Sequence, residues 1–131
     1  MDNADVEELP AEMFGPVSFQ YVTFRSVSRL RTVHPQALMG SRNSLQSLRI
    51  EIGLLEDFPW EIFPDYTSLG EMYIQNNALT RLPALASPTL EWLSLVRNNI
   101  STLQAEWNTP SLKVLDLGQI RFNIFCSTEK R

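Results

Sequence analysis

The residues best equipped for chemistry in this 131-residue chain are few and scattered. Its sole histidine, His34, precedes Pro35, and its sole cysteine, Cys126, lies near the other end. Nucleophilic catalysis needs a nucleophile within hydrogen-bond reach of a base that a third group orients. No motif of that kind surrounds either residue. A glycine-rich phosphate loop is absent, as is any Cys/His pair at metal-ligand spacing. The adjacent carboxylates Glu7-Glu8 and Glu56-Asp57 fall where a solvated loop would carry charge. The expectation is a non-enzyme with no cofactor and no metal. One triplet does carry a mechanism: Asn99-Ile100-Ser101 is an N-glycosylation acceptor, and no second one occurs. The remaining candidates are Tyr, Trp and Arg, which bury large areas with few rotors and offer polar handles for recognition.

Whether those side chains gather depends on the elements that carry them, and the elements repeat. Aligned on the spacing LxxLxLxxNxLxxL, one register reads Leu69, Met72, Ile74, Asn77, Leu79, Leu82, and the next Leu90, Leu93, Leu95, Asn98, Ile100, Leu103. A preceding register, Leu45, Leu48, Ile50, Leu55, Phe58, has Gly53 at the asparagine position. A following one, Leu112, Leu115, Leu117, Phe122, Phe125, has Ile120 there. The first, Phe19, Val22, Phe24, slips by one residue to Leu30 and Val33. Chance would fill five such positions in about 0.004 of windows, yet four consecutive windows are filled. Starts at 19, 45, 69, 90 and 112 give periods of 26, 24, 21 and 22 residues, within the leucine-rich-repeat range.

This spacing predicts an α/β solenoid, a leucine-rich-repeat horseshoe with a short parallel concave sheet and a mostly irregular, 3-10 or extended convex side. Each xxLxLx segment alternates as a short strand, two residues inward and the intervening ones outward. Asn77 and Asn98 end their strands and are expected to bond backbone of neighbouring coils in a ladder. At Gly53 and Ile120 that ladder is expected to be interrupted or satisfied by water. The longer return PWEIFPDYTS has room for a 3-10 turn that inserts Ile62 or Phe63, whereas the returns holding Pro83 and Pro110 read as extended. The chain reads as a single domain over 1–131, with a half repeat over 1–18 (Val6, Leu9, Pro10, Phe14) and an expectation of incompleteness at one or both ends.

The outward positions of the strands form columns. Position 3 reads Tyr21, Ser47, Glu71, Trp92, Val114, and position 5 reads Thr23, Arg49, Tyr73, Ser94, Asp116. Position 7 reads Arg25, Glu51, Gln75, Val96, Gly118, and position 8 Ser26, Ile52, Asn76, Arg97, Gln119. The candidate binding residues are therefore Trp92, Tyr73, Arg49, Tyr21, Arg25, Glu71 and Arg97, with Trp92 foremost, because an indole on the solvent side of a strand is hard to explain by packing. Cross-strand packing and Arg–Glu surface pairs are the competing account of the same residues.

A net charge of −4 and a pI near 4.9 speak against nucleic acid and anionic membranes as partners, since both reward excess Lys and Arg. No apolar run approaches a membrane span. The expected partner is a protein, met on the concave face. A structural alternative is association of like or unlike subunits through a last coil bearing Phe122 and Phe125. The expected compartment is extracellular, with an intracellular leucine-rich-repeat regulator in the cytoplasm as the alternative: the glycosylation triplet suits export, whereas MDNADVEELP is no secretory signal and an unpaired Cys126 suits a reducing cytoplasm.

The phrases LEDFPWEIFPDYTSL, LTRLPALASPTLEWLSLVRNNIS and EWNTPSLKVLDL resemble arthropod secreted leucine-rich-repeat proteins, a group similar to the non-catalytic subunit of a decapod shrimp luciferin monooxygenase. The resemblance implies an extracellular, non-enzymatic protein that associates with or stabilises another protein.

Overall fold

A computed structural model describes residues 7–15, 17–25, 29–51, 53–104 and 106–118. Nine strands occur in them: β1 (Glu8–Leu9), β2 (Tyr21–Arg25), β3 (Thr32–Val33), β4 (Ser47–Glu51), β5 (Glu71–Gln75), β6 (Arg81–Leu82), β7 (Trp92–Ser94), β8 (Thr102–Leu103) and β9 (Val114–Asp116). The principal sheet is parallel throughout, in the order β2-β4-β5-β7-β9, so each coil lays its strand beside that of the coil before. Two smaller parallel pairs, β1-β3 and β6-β8, lie in the return segments.

The alternation LxL produces the two faces of the principal sheet. Val22, Phe24, Leu48, Ile50, Met72, Ile74 and Leu93 are buried, together with Leu45, Leu69 and Leu90 at the strand entrances. Leu30, Val33, Leu55, Phe58, Leu79, Leu82 and Ile100 close the core from the return side. No coil buries its apolar side alone, which makes the stack the unit of stability.

The α/β expectation needs correction, because among the described residues regular helix is confined to two 3-10 turns and the molecule is a β-solenoid. One turn, Met39–Ser41, was not expected. The other, Trp60–Asp65, falls in the segment anticipated for it and buries both Ile62 and Phe63, along with Trp60. Phe58, Trp60 and Phe63 pack there with ring centroids 5.1–6.3 Å apart. The return at Pro83 runs extended as expected, whereas Pro110 and Ser111 form a turn closed by the Leu112 N–H on the Thr109 carbonyl (3.0 Å); the two returns are joined by a parallel bridge between Ala86 and Asn108.

The asparagine ladder is made as expected at Asn77 and Asn98. The Asn98 Nδ2 donates to the Ile74 carbonyl (2.7 Å) and to that of Leu95 (3.0 Å), while its Oδ1 accepts from the Leu79 N–H (3.1 Å). Asn77 repeats the pattern one coil earlier, to Ile50, Gln75 and Leu55. Gly53 has no side chain to carry the ladder: its own N–H donates to the Asn76 carbonyl of the next coil (3.1 Å), and the Leu54 N–H reaches the Leu30 carbonyl of the preceding coil (3.2 Å), a backbone bond that Ala78 and Asn99 also make in the coils that keep the asparagine. Ile120, Phe122, Phe125 and Cys126 lie outside the described residues, as do Val6, Ser26, Ile52 and Gln119.

A second ladder was not anticipated. The residue just before each repeat's first leucine is Ser44, Ser68, Thr89 or Ser111. Each donates its hydroxyl to a carbonyl of the coil before, at Phe19, Asn43, Leu69 and Pro88 respectively, over 2.8–3.0 Å. These bonds answer backbone oxygens where the chain enters the sheet and its own ladder has not begun.

Candidate functional site

The outward face of the principal sheet is built by register. Tyr21, Ser47, Glu71, Trp92 and Val114 are successive partners across the strands, as are Thr23, Arg49, Tyr73, Ser94 and Asp116. Arg25, Glu51 and Gln75 form a third row. The columns read from the repeat spacing are thus the columns of the sheet. Parallel neighbours in successive coils place like positions opposite one another, about 4.8 Å apart.

Within this face the polar side chains are organised. Glu51 is shared by two arginines: Oε1 lies 3.3 Å from Arg25 Nε, and Oε2 lies 3.3 Å from Arg49 Nη1. The Glu51 side chain is only 13% exposed, so the carboxylate sits beneath the two guanidinium groups. The Arg49 guanidinium also lies over the Tyr73 ring, 4.0 Å from its centroid, where the negative face of the ring attracts the cation. Held by both partners, Arg49 loses rotamers before any ligand arrives.

The large aromatics at the sides of this network are open. Tyr21 is 66% and Trp92 41% exposed. The Tyr21 hydroxyl donates to Gln46 Oε1 over 3.1 Å, which steadies a ring that little else covers. Trp92 stands between Glu71 and Val114. A rim pair, Lys113 with Glu91 at 3.8 Å, lies one residue before β9 and β7.

Of the anticipated residues, Tyr21, Arg25, Arg49, Glu71, Tyr73 and Trp92 share this face. Arg97 is exposed but sits in the turn after β7, with a left-handed backbone (φ 65°). It therefore stands apart from the strand rows in which sequence position had grouped it. Ser94 departs further from its assignment as an outward residue. It is buried, because Gln75 reaches across from β5 and donates Nε2 to its hydroxyl over 2.8 Å. Asn99, the glycosylation candidate, is exposed next to the half-buried ladder residue Asn98. His34 accepts the Gln36 N–H on Nδ1, a local turn contact rather than part of a cluster.

Spacing had not marked three features. Gln46 and Glu91 occupy the position before the Tyr21 and Trp92 column and join it only through side-chain reach. Tyr66, at the end of the Trp60–Asp65 turn, is fully buried, and its hydroxyl has no hydrogen-bond partner. Burial pushes its pKa up to about 12 against Arg42, whose charge pulls the other way. On the return side, a groove of about 610 Å³ opens between β3 and β6, with Val33, Phe58, Trp60 and Pro83 in its walls. It exists because the second coil leaves the extended path there: Asp57 Oδ1 takes the Phe58 N–H, Pro59 has none to give, and the 3-10 turn begins.

Repeat spacing, one parallel strand per coil and the asparagine ladder together define a leucine-rich-repeat solenoid, and that is what this protein is. The chain is similar to the Oplophorus-luciferin 2-monooxygenase non-catalytic subunit of Oplophorus gracilirostris, with 32% identity over 104 residues, covering 79% of this chain and 29% of that protein. It is also similar to the transforming growth factor beta activator LRRC33 of Danio rerio, with 28% identity over 124 residues, 94% of this chain and 18% of that protein. The chain thus spans under a third of the length of either relative. No protein-family model matches it, and no solved structure matches it significantly. Among the described residues, no helix is long and apolar enough to cross a membrane.

Proposed function

We propose that this chain is a non-enzymatic protein-binding module that works in an extracellular setting. It meets its partner on the outward face of the principal sheet, which serves as the concave face of the solenoid. The observation that carries the reading is the pairing of exposed Trp92 and Tyr21 with an arginine already held by Glu51 and Tyr73. Aromatics and arginine dominate interface energetics, and a preordered guanidinium gives up less entropy on binding. Glu71 and Arg25 supply the charged surroundings, and Arg97 extends the surface past the strand end. The relatives support the class of role: one is named a non-catalytic subunit and the other an activator of a growth factor. Both names describe proteins that act on or with another protein.

The test is capture of a partner from extracellular extract by the immobilised chain, compared with the Trp92→Ala/Tyr73→Ala double variant. Loss of two interface anchors is expected to cost about 2 kcal/mol or more, roughly a thirty-fold weakening. Thermal stability should fall by no more than about 1 kcal/mol, since both rings are at least partly open to solvent. Undiminished capture would refute the assignment, and so would a collapse in stability, which would make the rings structural.

A further inference from the structure

We propose that Asn99 is an N-glycan acceptor, a site on the lateral rim of the solenoid beside the binding face. The proposal rests on the extracellular placement given above. Two adjacent asparagines of the same coil have opposite fates. The Asn98 amide is consumed, with both of its atoms bonded to backbone of its own and the preceding coil. The Asn99 side chain is exposed and makes no hydrogen bond among the described residues, so its Nδ2 is available. Ser101 is exposed as well. Between them Ile100 is buried, at 4% exposure, and pins the triplet so that both polar ends face solvent. The backbone holds that arrangement, with the Asn99 N–H on the Leu79 carbonyl (2.9 Å) and the Ser101 N–H on that of Thr80 (3.0 Å).

Toward the preceding coils the position also has room. In the neighbouring coil the residue matching Asn99 is Ala78, whose side chain is a single methyl, and two coils away it is Leu54, which is itself exposed. Asn99 lies past the end of β7 and the turn that carries the ladder, off the strand row that holds Trp92. Asn98 cannot serve in its place, because Ile100 stands where the hydroxyl of an acceptor triplet must be.

The co-reactant is a lipid diphosphate-linked oligosaccharide, presented by the transferase of the secretory pathway. Asn99 Nδ2 attacks the anomeric carbon of the first sugar, and the bond from that carbon to the diphosphate oxygen breaks. The lipid diphosphate leaves with the electron pair, and Nδ2 gives up one of its two protons. Nothing is oxidised or reduced. The Ser101 hydroxyl is the feature the transferase reads.

The test expresses the chain behind an exogenous secretion signal in insect cells and measures intact mass before and after a glycan-removing amidase. Most wild-type chains should carry one glycan, and its removal should convert Asn99 to aspartate. Asn99→Gln and Ser101→Ala should each be secreted without it, whereas Ser101→Thr should keep it. A secreted, folded wild-type chain with unmodified Asn99 would overturn the proposal. Partner capture measured on the same samples keeps the two readings apart. An unmodified chain that still captures its partner fails the glycan alone, and a modified chain that captures nothing fails the binding reading alone.

Discussion

Replacing Asn98 with alanine should damage this solenoid far more than the same change at Asn99, one residue on. Asn98 makes three hydrogen bonds, at 2.7, 3.0 and 3.1 Å, two of them to the preceding coil. At a net value of about 1 kcal/mol each, their loss costs about 3 kcal/mol. The groups left behind, the carbonyls of Ile74 and Leu95 and the N–H of Leu79, would then be unpaired in a low-dielectric setting, which raises the cost toward about 4 kcal/mol. For a chain of this size that corresponds to a fall in Tm of roughly 15 °C. Asn99→Ala removes an exposed side chain with no bond and should stay within about 0.5 kcal/mol of wild type. Urea unfolding followed by tryptophan fluorescence measures both. Because each coil is stabilised mainly by its neighbours, the Asn98 variant should also unfold less cooperatively. If Asn98→Ala cost less than about 1 kcal/mol, or no more than Asn99→Ala, the ladder would not be what couples the third and fourth coils.

Tyr66 makes stability sensitive to alkali. Its pKa rises from 10.0 in the open chain to about 12 in the fold, so above pH 10 the unfolded state binds fewer protons and stability falls as pH climbs toward 12. Tyr66→Phe should flatten that decline relative to wild type and cost nothing at neutral pH, since the hydroxyl it removes has no partner. A steeper alkaline decline in the variant would contradict the burial. Thr89→Val removes one rung of the hydroxyl ladder at nearly constant volume and should cost about 1 kcal/mol in urea unfolding, whereas a neutral result would mean the Leu69 carbonyl finds another donor. Glu51→Gln should free Arg25 and Arg49 and weaken partner capture more in low salt than in high, with little change in Tm; equal weakening at both would point to shape rather than charge.

Sequence by itself determined the order and register of the principal sheet. A parallel strand in every coil forces residues at equal repeat positions to be neighbours, so Tyr21 through Val114 could be written as one row before any coordinate was known. It determined the inward set for the same reason, and the ladder at Asn77 and Asn98, whose amides complete backbone bonding at the strand ends. The hydroxyls before Leu45, Leu69, Leu90 and Leu112 were equally visible in the sequence, but nothing in a single serine announces which carbonyl it will meet. Tertiary structure alone decided what depends on side-chain reach between coils. Gln75 covers Ser94 from the next strand, Glu51 serves two arginines at once, and Arg49 settles on Tyr73. Position in a repeat says which way a residue points. How far it leans, and what it covers when it does, depends on the length and charge of its neighbours, most of them a whole coil away in sequence and one strand away in space.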